Sequence, residues 1–306
     1  MKTFWMFPGQ GNQFPGMLRD VSPKLIAKVK DLTGFDLPDD EEAYQDPVQI
    51  QLALLVLQLN DVSLLKEAGE TPDIVGGHSL GIFAAAVCSG VLSEDDAIKL
   101  VLKRATLMKN AYPEGYGMGV IVGLTRIEVE NLTEKVNSKQ TPVFTSNQNA
   151  ELQVSLSGSY EGIDQVLELA KKQSARTAKR LAVPSPSHSP LMKAAAQELE
   201  RYVEGLNLQD ANCVYLTNFN GHAVTKAEEI AYDLSHNLMY PVYWDTMAEV
   251  ALELGTEVSV ELEPGQTFTK LMKQKTSDIQ NISLATMSID DVSFLLNKWK
   301  RGFSNG

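Results

Sequence analysis

The stretch Ile74-Val75-Gly76-Gly77-His78-Ser79-Leu80-Gly81-Ile82-Phe83-Ala84-Ala85-Ala86-Val87-Cys88 decides how this chain is read. Its start, Ile74-Val75-Gly76, reads as a buried strand, and its small-residue end, Ile82–Cys88, as a helix. Between them Gly77, Ser79 and Gly81 spell G-x-S-x-G on a sharp strand-to-helix turn. Such a turn strains the serine backbone, and side chains larger than hydrogen on its neighbours would clash. The helix behind the serine offers free N–H groups and a positive dipole end where an oxyanion can form. The pattern alone arises often by chance. Its strand-turn-helix setting favours a nucleophile.

Outward from this turn, residues 1 to about 115 alternate strands and helices. A strand at Lys2–Phe7 runs into Gly9-Gln10-Gly11. Pro47–Lys66 reads as a long apolar helix, and Glu94–Ala111 as a helix carrying Arg104. The alternation predicts a parallel sheet with helices on both faces. The texture changes after residue 115. Strands at Gly117–Leu124, Val143–Asn147, Leu152–Ser157 and Ala178–Val183 alternate with helices at Arg126–Val136 and Gly162–Gln173, in β-α-β-β-α-β order. That order is the ferredoxin-like signature. From Pro184 the first pattern resumes, with a helix at Leu191–Leu206, strands near Val214–Asn218 and Val258–Leu262, and a helix at Tyr243–Leu254. The expected architecture is α/β: an α/β-hydrolase-like large domain with a parallel sheet (residues 1–115 and 184–306), into which a ferredoxin-like subdomain (residues 116–183) is inserted.

Composition excludes several classes. With 306 residues, 43% hydrophobic and 22% charged, the chain can bury a large core. The net charge of -12 argues against general nucleic-acid binding. No continuous apolar run reaches the ~18 residues of a membrane span. Two cysteines, Cys88 and Cys213, without a C-x-x-C spacing, make neither a disulfide framework nor a zinc site. A reducing cytoplasm is the expected location.

A nucleophilic serine needs a base, and the chain has four histidines. His78 adjoins Ser79 and is expected to point away from its hydroxyl and support the turn. His222 follows Gly221 in a turn context and reads as a surface residue; His236 lies beside Asn237, before Pro241. His188 sits in Pro184-Ser185-Pro186-Ser187-His188-Ser189-Pro190, where the inserted module returns to the large domain. A proline-stiffened junction can hold a side chain over a cleft. From the residues alone, His188 is either that base or a structural turn histidine.

At this point the residues resemble a family. Phe7-Pro8-Gly9-Gln10-Gly11-Asn12-Gln13 is similar to the FPGQGSQ opening of malonyl-CoA:acyl carrier protein transacylases, and Gly77–Gly81 to their GHSLG elbow. Leu102–Met108 resembles their arginine helix, Ser187-His188 their histidine loop, Asn237–Val242 their NxxxPV segment, and Glu261–Gly265 their EVGPG turn. The blocks follow in family order across nearly the whole chain. The resemblance implies an acyltransferase with Ser79 as nucleophile and His188 as base. It also implies that the Asn237 carbonyl orients His188, that the Gln10 and Leu80 amides form the oxyanion hole, and that Arg104 binds the malonyl carboxylate. A guanidinium suits that carboxylate, because it can bind both oxygens and acetyl has no such group. The implied reaction is ping-pong, from malonyl-CoA to a phosphopantetheine-type thiol on an acyl carrier protein, and needs no metal or redox cofactor.

Within the family, Ile82 after the elbow, Glu261-Leu262-Glu263-Pro264-Gly265, and Ala111-Tyr112-Pro113-Glu114-Gly115-Tyr116-Gly117-Met118 look most similar to the epsilon subunit of malonate decarboxylase. The acceptor implied there is a phosphoribosyl-dephospho-CoA thiol on the carrier subunit. The alternatives are a fatty-acid or trans-acting polyketide transacylase and, from other classes, an α/β-hydrolase-type thioesterase or esterase and a scaffold without activity. The basic stretch Lys171–Arg180 in an acidic chain either helps receive an acidic carrier or the CoA phosphates, or is a solvated helix end.

Overall fold

The strand β1 (Lys2–Phe7) is buried from Thr3 to Phe7 because it runs through the middle of a sheet with a core on each face. In the computed structural model, which describes residues 1–112 and 114–303, Trp5 and Phe7 join one core and Phe4 and Met6 the other. Alternate residues of a strand face opposite sides, so an unbroken apolar run marks a strand covered twice. Pro113, within the Ala111–Met118 stretch, and Ser304–Gly306 lie outside the described residues.

After β1 come α1 (Pro23–Thr33), α2 (Pro47–Glu67), β2 (Ile74–Gly77), α3 (Gly81–Cys88) and α4 (Glu94–Ala111). The chain then builds β3 (Tyr116–Val122), α5 (Arg126–Val136), β4 (Val143–Ala150), β5 (Gln153–Ser159), α6 (Tyr160–Lys172) and β6 (Thr177–Arg180). It returns through α7 (Lys193–Val203), β7 (Val214–Leu216), β8 (Ala223–Val224), α8 (Ala227–His236), α9 (Trp244–Glu253), β9 (Thr256–Glu261), α10 (Thr267–Lys275), β10 (Gln280–Ser283) and α11 (Ile289–Phe303).

The large sheet has the order β10-β9-β1-β2-β7-β8 and is parallel except for β8. The small sheet has the order β4-β5-β3-β6 and is antiparallel throughout. Counted within its own module that is 4-1-3-2 read from the β6 edge, the order a ferredoxin-like unit requires, and it closes over its own apolar core. The expected last strand stops at Arg180 rather than Val183. Leu181 still donates its N–H to Met118 O, and the chain then leaves the sheet towards His188.

Helix α2 is long and apolar enough to cross a membrane by length and composition, yet 83% of its apolar window is buried inside the protein. It is a core helix, started by Pro47 behind the Asp46 cap. Four of its polar residues, Gln51, Gln58, Asn60 and Asp61, are buried with it. Two of them hold functional loops. Gln58 Nε2 donates to Pro8 O at 2.7 Å, just before Gln10, and Asp61 accepts the Glu263 N–H at 2.9 Å. Helix α4 begins at Ser93, whose hydroxyl accepts the Asp96 N–H, and carries three acids in its first turn. Its buried face runs Ala97, Val101, Arg104, Ala105, Met108. Helical spacing thus puts Arg104 inside the apolar stripe, not in solvent.

The two sheets meet at a few polar bolts. Gln148 N donates to Val242 O at 2.8 Å, and Arg126 donates to Ser146 O while its guanidinium lies 4.8 Å from the Tyr243 ring centre. Ser157 Oγ donates to Ser187 O at 2.5 Å, beside His188.

Candidate active site

Ser79 lies at the carboxyl end of β2, in the crevice position where open parallel sheets present functional groups. Its φ is 55°, a left-handed value that a non-glycine residue adopts only when its surroundings enforce it. The enforcement is steric and polar. A Cβ on Gly77 would overlap the backbone of Gly81 and Ile82, and one on Gly81 would overlap the Phe7 carbonyl. His78 N donates to Phe7 O at 2.9 Å, which docks the turn on the end of β1. Helix α3 then starts beneath the serine, led by Leu80, which is 1% exposed.

His188 faces it. The imidazole Nε2 is 2.8 Å from Ser79 Oγ, and Nδ1 is 2.9 Å from Asn237 O and 3.2 Å from Tyr240 O. Two carbonyls can only accept, so Nδ1 carries the proton and Nε2 is left as the acceptor for the serine hydroxyl. His188 also has a left-handed backbone, φ 62°, held by its own N–H donating to Leu238 O at 2.7 Å. Burial, with the nearby Arg104 cation and His78 adding to it, holds the imidazole down at about 3. It is neutral at physiological pH.

Arg104 completes the cluster. Its side chain is fully buried and reaches Ser79 Oγ at 3.0 Å through Nη2, Asn237 Oδ1 at 3.3 Å through the same nitrogen, and Gln51 Oε1 at 2.5 Å through Nη1. Every one of these acceptors is neutral. Nε is buried with no hydrogen-bond partner, and among the described residues no carboxylate pairs with this guanidinium. Burial pulls it down to about 9, so it keeps its charge at neutral pH at a desolvation cost.

The sequence-expected residues are therefore found in these places: Ser79, His188, Arg104 and Asn237 in direct contact, and Leu80 one residue beyond the nucleophile. The Gln10 loop packs against the elbow, since a Cβ on Gly9 would come within 2.8 Å of His78 O. Among the described residues neither the Leu80 nor the Gln10 amide donates to another protein group, which leaves both free for a ligand. Gln10 also lines a cleft of about 390 Å³ with Ile50, Met108, Val183 and Ser185, beside the Arg104 cage and the His188 loop. His78 does support the turn. It points away from Ser79 to Asn149 Oδ1 at 2.9 Å, between the Trp244 and Phe268 rings, and burial holds it down at about 4. His222 is exposed. His236 is buried at the end of α8, its ring stacked 4.2 Å from Tyr232.

Three supporting residues were not anticipated from the sequence. Gln51 holds Arg104, and Asn218 holds both the elbow and Asn237. Asp233 holds Asn218, its carboxyl pushed up to about 7 by burial. Gln51 left a trace, a polar residue in a long apolar helix; Asp233 left less, since Ser235 and His236 are buried on the same helix. Asn218 left none. Of the basic stretch, Lys171 pairs with Glu168 and Arg180 pairs with Asp164, while Lys172, Arg176 and Lys179 are exposed.

Residues 4–292 match the family model described as the acyl transferase domain. The chain is 36% identical over 299 residues to the malonyl CoA-acyl carrier protein transacylase of Haemophilus influenzae, covering 93% of this chain and 96% of that one. The crystal structure of FabD from Acinetobacter baumannii superposes with a TM-score of 0.91 at 32% identity, over 96% of this chain and 98% of that chain. A type II PKS acyl-carrier protein in complex with its malonyl-transacylase gives a TM-score of 0.89 at 32% identity, over 94% of this chain and 97% of the matched chain.

Proposed function

This chain belongs to the acyl transferase family, and on that premise we propose that it carries a malonyl group from malonyl-CoA, through an ester on Ser79, to the thiol of an acyl carrier protein. One observation carries the choice of malonyl: the buried Arg104 guanidinium, 3.0 Å from Ser79 Oγ and without an anionic partner. Malonyl brings a carboxylate two carbons from the reacting carbonyl, within reach of that cation. An acetyl group leaves the charge uncompensated. The relatives named as malonyl transferases, one of them captured with its carrier protein, support the same donor and acceptor class.

The proposed steps use the groups gathered around Ser79. Ser79 Oγ attacks the thioester carbonyl as its proton moves to His188 Nε2. The Asn237 and Tyr240 carbonyls hold Nδ1–H and stabilise the imidazolium, the task an acid performs in a Ser-His-Asp triad. The Leu80 and Gln10 amides receive the oxyanion of the tetrahedral intermediate. Collapse breaks the carbon–sulfur bond, and His188 returns the proton to the leaving CoA thiol. The carrier thiol then attacks the Ser79 ester by the same steps reversed.

The acceptor proposed here is the thiol of the malonate decarboxylase carrier subunit. Support comes from Ile82, fully buried at the first turn of α3, and from the Glu261–Gly265 turn. Unpaired Cys88 and Cys213 fit a cytoplasmic enzyme. Intact mass after mixing with malonyl-CoA should show one malonyl adduct that Ser79→Ala abolishes. Transfer from that adduct should be faster to the malonate decarboxylase carrier than to a fatty-acid carrier protein. The reverse order would assign the enzyme to fatty-acid or polyketide synthesis, and release to water at the transfer rate would make it a thioesterase.

A further inference from the structure

The reactive groups converge on Asn218, a residue the steps above do not use. It follows the short strand β7 and is 1% exposed. Its Oδ1 accepts from Ser79 N and from Asn237 Nδ2, each at 2.9 Å, and its Nδ2 donates to Gly77 O at 2.5 Å. Its own N–H donates to both carboxylate oxygens of Asp233, at 2.9 and 3.1 Å, and its carbonyl accepts the Tyr243 N–H at 2.9 Å. Tyr215 donates its hydroxyl to the same carboxylate at 3.1 Å.

These contacts admit one orientation of each amide. Ser79 N can only donate, so Asn218 Oδ1 must face it; Gly77 O can only accept, so Nδ2 must face that. The Asn237 amide then has its NH2 fixed on Asn218, which turns its oxygen towards Arg104. Flipped, it would set a donor against a guanidinium that has only donors. No other side chain of this length offers both functions, since aspartate has no donor here and glutamine would overfill the site.

We propose that Asn218, set in place by Asp233, is a positioning residue that holds the strained Ser79 backbone and the Asn237 amide together. The nucleophile, the His188 imidazole and the Arg104 guanidinium thereby share one frame. The part that concerns acyl choice rests on the malonyl reading above; the part that concerns Ser79 does not.

The test uses the purified full chain with Asn218→Ala and Asp233→Asn, and two readouts. The first is the rate at which a fluorophosphonate probe labels Ser79, which reports the nucleophile without any acyl group. The second is the ratio of malonyl to acetyl acylation rates. Asn218→Ala should label about 100-fold more slowly, the size of effect expected from a small misplacement of reacting groups. Its malonyl-to-acetyl ratio should fall about 10-fold, because Arg104 loses its oriented acceptor. Asp233→Asn, which keeps one acceptor for Asn218, should lose about 3- to 10-fold in labelling. A residue that only supports folding would lower the active fraction equally for all probes and leave the ratio intact. Labelling at the wild-type rate with an unchanged ratio overturns the inference. If Asn218→Ala does not fold, Asp233→Asn decides on the same readouts. If wild type takes no malonyl at all, the malonyl reading fails, and the labelling rates alone decide the role of Asn218.

Discussion

Two loops bring left-handed, non-glycine residues face to face, and they are held by different means. Ser79, at φ 55°, is clamped at close quarters: glycines on both sides let the backbone of α3 and β1 press against the turn. His188, at φ 62°, is held at a distance by three carbonyls of one other segment, those of Asn237, Leu238 and Tyr240, with Ser157 from the small sheet steadying Ser187 beside it. Ser174 supplies a control, with φ 63° at the exposed end of α6 and no part in the site. The same backbone strain, of order 1–3 kcal/mol, is incidental at Ser174 and built in at the other two. What distinguishes them is the number of independent groups fixing the conformation.

The largest effect should come from the base. His188→Gln keeps much of the shape but cannot accept a proton, so Ser79 acylation should fall by about 1,000-fold or more while the protein stays folded. A loss under tenfold in a stopped-flow assay would show that another group takes the proton. Next comes the clamp. Gly77→Ala forces a methyl group into the α3 backbone, which should destabilise by about 3 kcal/mol or more in urea unfolding. A variant as stable as wild type would mean that the turn is looser than its contacts indicate.

The pH response is smaller and separates the two loops again. The active His188 is neutral, and it is held at about 3, so acylation should stay flat from pH 7 to pH 5. A midpoint near 6.5 contradicts this. The stability sign follows from the same shift. Above 6.5 both folded and unfolded histidines are neutral; below it the unfolded chain takes up protons that the folded His188 refuses. Wild type should therefore lose stability as pH falls from 6.5 towards 3, by roughly 1 kcal/mol per pH unit more than His188→Gln. Equal slopes would place His188 in a wetter setting. The smallest effect belongs to the control. Ser174→Gly should leave acylation unchanged and alter stability by less than about 1 kcal/mol.

How far the sequence could be read follows the same division. The elbow was legible because five adjacent residues carry both the turn and its steric reason. The two sheets were legible from the switch between an α/β alternation and a β-α-β-β-α-β order. The His188 base was not legible from spacing alone, because its partners at Asn237 and Tyr240 lie some fifty residues along the chain. The cage around Arg104 was legible only in part. Gln51 stands out as a polar residue in an apolar helix, but nothing local connects it to Arg104, 53 positions away. Asn218 sits in a loop where asparagine is ordinary, and only the folded chain shows that all its polar groups are spoken for.

The central claim is that an uncompensated buried cation makes this site select a carboxylate-bearing acyl group. The direct measurement is the rate of Ser79 acylation by malonyl-CoA and by acetyl-CoA, in wild type and in Arg104→Met, with the melting temperature of each. Wild type should prefer malonyl. Arg104→Met should reverse that preference, because the cation that favours a carboxylate is gone, and its melting temperature should show a folded protein even though Gln51 and Asn237 each lose a donor. A variant that keeps the malonyl preference, or a wild type that takes both acyl groups equally, would contradict the account.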